Sequence, residues 1–122
     1  MFDVERFVEE VRATLSDRSR QATREVVARA VAEAAAVLAA FGEPTKAGVR
    51  MLHLSADLTI LDIAWGPNQL TLPHDHRIWA VIGMYGGRED NVFWRRRAEA
   101  DGPGIEIAGG HALGCRDVAV LG

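Results

Sequence analysis

Two histidines one residue apart, His74 and His76, stand in the run PHDHRIW at residues 73–79. On a β-strand, residues at i and i+2 project to one face. His74 and His76 are therefore expected to point together, with Asp75 pointing away. Two imidazoles on one face can grip one divalent metal in cis. Pro73 fixes the chain entering the pair and donates no ladder hydrogen bond, a rigidity that suits preset geometry. The competing reading is two solvent-facing histidines at a strand start. An HxH met in isolation favours that blander reading, so the context of the pair decides between them.

Two histidines alone hold a metal poorly, and catalytic sites usually combine three protein ligands with an open position. His111, in GGHALG, is one candidate for a third ligand. His53, alternating with Met51 and Ser55, is another. A substrate carboxylate would need a cation, and Arg77, Arg88 and Arg95 are the candidates. Arg77 should point outward with Asp75. Arg95 shares parity with Glu89, Asn91 and Phe93 and is free to point inward. Tyr85, the only tyrosine, is a candidate for proton transfer, although alternation turns it away from the histidines. Glu89 and Asp90 follow a glycine pair, where acids are commonly solvated. Trp65, Trp79 and Trp94 read as packing aromatics. The single cysteine, Cys115, sits in the turn-like GCRD and has no partner for an internal disulfide, which fits a reducing compartment.

The elements that must position these residues divide near residue 43. Phe2, Phe7, Val8, Val11 and Leu15 form one apolar stripe at helical spacing. Residues 16–19 break that pattern and offer caps. A second helix is predicted from Arg20 to Phe41, with Val26, Val27, Ala30, Val31, Ala34, Val37, Leu38 and Phe41 inward. Gly42 and Pro44 end it. After Pro44 the period becomes two. Strands are predicted at 49–55, 58–65, 78–85, 89–96, 105–108 and 117–122. Ala56-Asp57, Gly86-Gly87 and Gly109-Gly110 are read as the tight turns. The strand 78–85 is apolar on both sides, so both should be covered, one of them by the N-terminal helices or a partner chain.

With 122 residues, 48% hydrophobic and 25% charged, the chain has an ordinary globular composition and enough length for one cored domain. A net charge of −3 argues against nucleic-acid binding, and the triplet Arg95-Arg96-Arg97 reads as a solvated strand end. The N-terminus has no secretory pattern. The longest low-charge run contains Glu33 and is too short for a bilayer, so a cytoplasmic protein is expected.

The segment LTLPHDHRIWAVIGMYGGREDNVFWRR resembles the first metal motif of the cupin superfamily, and more narrowly that of cupins of the cysteine (thiol) dioxygenase type. PHDH, the Pro-containing loop before it and the GGREDN hairpin carry the likeness, which covers about residues 48–122. It implies a mainly β fold, a cupin-type double-stranded β-helix over 44–122, with two N-terminal helices in 1–43 packing on it. It also implies a non-haem metal site at His74 and His76, most naturally Fe(II), with Zn or Ni as alternatives, and oxygenation of a small thiol. Many cupins carry a glutamate shortly after the second histidine, where this chain has Ala80 and Val81. That departure fits the three-histidine version. In the family pattern the third histidine belongs to a second motif, which here would fall beyond Gly122, so the β-helix is expected to be incomplete in this chain. A partner copy completing it as a homodimer is the other expectation. The alternatives to an oxygenase are a metal- or ligand-binding module without catalysis, serving sensing or assembly, and a metal-dependent isomerase or lyase.

Overall fold

Helix α1 spans Val4–Arg12 in the computed structural model, which describes residues 1–43, 46–66, 78–96 and 105–121. Asp3 caps α1 by accepting from the Arg6 N–H at 3.1 Å, satisfying one of the free donors of the first turn. The stripe read from the sequence is its inner face: Val8 and Val11 are buried, and Phe7 and Leu15 are packed at the core margin.

The predicted helix over 20–41 is two helices, α2 (Gln21–Ala32) and α3 (Ala34–Phe41), broken at Glu33, which has φ −101° and ψ 54°. A contact remote in sequence accompanies the break. In an unbroken helix the Ala32 carbonyl would accept from the Ala36 N–H. Instead the Ala36 N–H donates to the Glu33 carbonyl at 2.9 Å, and the Arg116 Nε donates to the Ala32 carbonyl at 3.3 Å. Gly42 ends α3 as expected, with φ +80° and its N–H on the Leu38 carbonyl.

Strands β1 (Gly48–Leu54) and β2 (Thr59–Ala64) pair antiparallel across the Ala56-Asp57 turn, with the Ser55 N–H on the Leu58 carbonyl. A bulge between Met51 and His53 shifts the alternation by one residue, so Leu54 falls on the same face as Val49 and Met51. One face carries Val49, Met51, Leu54, Leu61 and Ile63, all exposed. The other turns toward the helices: Leu58, at the head of β2, is buried with Val11 and Val26, and Ile60 and Trp79 pack against them.

The remaining strands are β3 (Ala80–Gly83), β4 (Glu89–Arg96), β5 (Ile105–Leu113) and β6 (Val118–Leu121). Gly86-Gly87 does not close a hairpin between β3 and β4. β3 pairs with β6, and β4 pairs with β5, so the second pair is nested within the first. Gly109-Gly110 is not a turn either. Both residues lie within β5 beside a register shift at Phe93/Trp94, so they mark a bulge.

The expectation of a cupin-type double-stranded β-helix is overturned. Among the described residues the strands form three separate two-stranded antiparallel sheets, and no barrel closes. The alternating apolar pattern that suggested closure is satisfied differently. The helices cover one side of β1–β2 and β3–β6, and the apolar outer face of β1–β2 stays exposed. No helix among the described residues is long and apolar enough to cross a membrane.

Candidate functional site

His74 and His76 lie outside the described residues, as do Pro73, Asp75 and Arg77. The strand that follows them is fixed at both ends and pressed in the middle. Upstream of β3, the Arg20 guanidinium lies over the Trp79 ring, 4.0 Å from its centroid, and its Nη1 donates to the Leu15 carbonyl at 3.3 Å. Such a half-buried cation–π contact is worth about 1 kcal/mol. Downstream of β3, the Met84 N–H donates to the Asp117 carbonyl at 3.0 Å, and the Met84 carbonyl accepts from the Arg116 N–H at 2.7 Å.

Arg20 and Arg116 are the non-glycine residues in left-handed backbone among the described ones, with φ 64° and φ 74°. That conformation costs an L-residue roughly 1–2 kcal/mol and persists only where surrounding contacts fix it. At Arg20 the fixing contacts come from the turn before α2. Asp17 Oδ1 accepts from the Ser19 hydroxyl at 2.7 Å and the Ser19 N–H at 3.0 Å, and Oδ2 accepts from the Ala22 N–H at 2.8 Å. The Ser19 hydroxyl, then the Ala22 N–H, hold the Asp17 carboxyl below its ordinary range. Asp17 thus caps α2 in place of the Arg20 side chain, which is left free for Trp79.

Gly83 sits where β3 crosses α2. A Cβ there would stand 2.5 Å from Val27 Cγ1 and 2.8 Å from Val31 Cγ1, so only glycine permits this approach. With Trp79 against Arg20, Gly83 against α2 and the Tyr85 ring 5.9 Å from Phe41, the odd-numbered side of this segment faces the helices.

Tyr85 donates to Asp62 Oδ1 at 2.7 Å and joins the end of β3 to β2. Burial, then the Asp62 hydrogen bond and charge, push its phenol up to about 12. It therefore stays protonated at neutral pH, with its proton committed to Asp62. Arg88 is exposed and paired with Asp90 at 2.8 Å. Arg95 lies on β4 opposite Glu106, and His111 lies on β5 opposite Asn91, in a strand rather than a turn. His53 Nε2 is 3.0 Å from the Ser55 hydroxyl, and that hydroxyl donates to Asp57 Oδ1 at 2.8 Å, so the imidazole serves the β1–β2 turn. Its ring lines a groove of about 350 Å³ with Val4, Glu5, Val8, Glu9 and Leu52. Cys115 is free and exposed.

No group of three or more His, Cys, Asp or Glu side chains is arranged to hold a metal among the described residues. The fit of a metal to this chain rests on donor chemistry. Neutral imidazoles suit iron, zinc and nickel alike. Sequence reasoning missed Arg20 and Arg116, because arginine carries no signal for left-handed backbone. Gly83 did carry one, as a lone glycine inside a strand pattern. No family model matches the chain, and no solved structure matches it significantly.

Proposed function

We propose that the chain is a metal-dependent oxidoreductase that adds dioxygen to a small thiol, with His74 and His76 as donors to a non-haem Fe(II) ion. The observation that carries this reading is the pair of imidazole donors at i and i+2, directly upstream of a strand clamped at both ends. A metal site needs donors whose supports do not move, and β3 supplies such a support. When bound, the ion would supply open positions at which a thiolate and dioxygen meet. Both oxygen atoms end on sulfur, giving a sulfinic acid. Sulfur loses the four electrons that dioxygen gains, so no external reductant is required. The chain's residues hold the donors and shape the site. His111 is the further donor candidate within this chain, and Arg95 is the candidate for the substrate carboxylate. The free, exposed Cys115 fits a reducing cytoplasm.

The test is metal analysis of protein purified without chelators, followed by oxygen uptake with a panel of small thiols. Iron lost in His74→Ala and His76→Ala, with thiol-stimulated uptake in the wild type, is the expected result. Bound metal with no uptake would leave a metal-binding module without catalysis. Wild-type levels of metal in the double histidine variant would remove the reading altogether.

A further inference from the structure

We propose that the outer face of β1–β2 is a dimerisation surface, packed in solution against the same face of a second copy of this chain. The polarity of this sheet is inverted. Its register places three cross-strand pairs on the outer side: Val49 with Ile63, Met51 with Leu61, and Leu54 with Thr59. Five of those six side chains are large and apolar, and none is charged. The charged pair of the sheet, Arg50 opposite Asp62, lies on the helix-facing side instead. There Asp62 accepts from the Tyr85 hydroxyl at 2.7 Å, and Arg50 Nη2 donates to the Phe41 carbonyl at 3.4 Å. An antiparallel sheet with one wet face normally carries its polar residues on that face. The bulge between Met51 and His53 reinforces the inversion, because it brings Leu54 outward and leaves His53 inward.

The occupant follows from size and charge. The five apolar side chains are each 40–66% exposed, and Trp65, next in the β2 alternation, is 48% exposed. Together they present roughly 500–600 Å² of apolar surface, the upper end of what a soluble monomer shows in one patch. Two such faces in contact would bury about 1,000–1,200 Å², the size at which specific interfaces begin. Sheets packed face to face through apolar side chains form a common two-layer core. A charge-free face meets its own copy without like-charge repulsion, and Met and Trp are residues that interfaces favour. A charged peptide or a nucleic acid would find no counter-charge on it. An anionic lipid surface is disfavoured by the net charge of −3. The modest area sets the expected affinity, dimerisation in about the micromolar range. Neither His74 nor His76 enters, so the dimer stands or falls independently of the oxidoreductase reading.

Sedimentation equilibrium of the full chain, from about 1 to 300 μM to bracket that affinity, is the test. The wild type should pass from monomer to dimer across this range. Met51→Lys and Met51→Glu each place a charge in the middle of the patch and should sediment as monomers throughout, with unchanged far-UV circular dichroism. Where a charge at 51 unfolds the chain, Val49→Thr/Ile63→Thr decides instead. It keeps the β-branched shape and strand preference while cutting apolar area. It should weaken dimerisation by about tenfold or more. A wild type that stays monomeric at every concentration overturns the proposal. If that monomer then sediments with phosphatidylcholine vesicles, the face belongs to a lipid surface. A dimer of undiminished affinity in the folded Met51 variants or in the threonine pair also overturns it, because the interface then lies elsewhere.

Discussion

Replacing Gly83 by alanine should be among the most damaging single-methyl changes available to this chain. The added Cβ would lie 2.5 Å from Val27 Cγ1 and 2.8 Å from Val31 Cγ1. Ordinary carbon contacts sit at about 3.5–4.0 Å, so the new methyl overlaps two others by about 1 Å each. Neither side can yield easily. Valine in a helix has one strongly preferred rotamer, which blocks rotation of Val27 or Val31. β3 is held at Trp79 and at Met84, which blocks retreat of the strand. Overpacking of this kind costs about 1–3 kcal/mol, and the double overlap places Gly83→Ala near the upper end. For a domain of this size that corresponds to a fall of roughly 10 °C in Tm. Urea unfolding followed by circular dichroism would measure it as a lower midpoint at unchanged m. Val27→Ala removes the nearer methyl, so the double variant should be more stable than the sum of the single changes predicts, by at least about 1 kcal/mol. A Gly83→Ala midpoint within about 0.5 kcal/mol of wild type, or strict additivity with Val27→Ala, would refute the close crossing of β3 on α2.

Tyr85, as the sole tyrosine, gives an unambiguous tyrosinate absorbance titration, expected near 12 against an ordinary 10.0. Because the folded value is raised, its contribution to stability is fully present below pH 10 and is lost as pH rises through about 12. Discounted for partial exposure, that contribution is about 1 kcal/mol. Asp62→Asn should move the titration toward 10.0 without reaching it, since burial is the larger cause; an unmoved curve would reject the Tyr85–Asp62 bond. For Asp17, whose carboxyl is lowered from 3.8, the contribution is present above 3.8 and lost as pH falls through the folded value. Asp17→Asn should therefore flatten the acid limb of the stability curve, read by chemical unfolding between neutral and acid pH. The buried Thr23 hydroxyl is 2.7 Å from that of Thr14, which itself donates to the Val11 carbonyl at 2.6 Å. Thr23 must then be the donor between them, because Thr14 has one proton. Thr14→Val strands a buried donor and should cost about 1–3 kcal/mol, whereas Thr23→Val should cost about 1 kcal/mol or less; equal losses on urea unfolding would contradict the assigned direction.

The parts of the fold that were legible in the sequence are those whose causes are local. The α1 stripe, the Ala56-Asp57 turn and the Gly42 stop each depend on residues within a turn or two of one another. The parts that were not legible have distant causes. The break at Glu33 comes with a contact to Ala32 from a side chain 84 residues further along. The pairing of β3 with β6 defeats the rule that strands flanking a glycine pair form a hairpin. Gly109-Gly110 looked like a turn because a bulge and a turn draw on the same residue type. At the candidate site, the HxH spacing made His74 and His76 candidate donors only together with its sequence context, and both lie outside the described residues. Nothing in the sequence marked Arg20 as the partner of Trp79, because a cation–π pair 59 positions apart leaves no periodic trace (79 minus 20).

The hydrogen bond from Arg116 to the Ala32 carbonyl has a temporal consequence. As the polypeptide leaves the ribosome, Ala32 emerges long before Arg116 does. Until then the donor that an unbroken helix would offer its oxygen is the Ala36 N–H. The Arg116 contact at the elbow between α2 and α3 can form only afterwards, with the arrival of the β5–β6 loop. The helical arm thus takes its final shape only once the β5–β6 loop is present, alongside the pairing of β6 with β3.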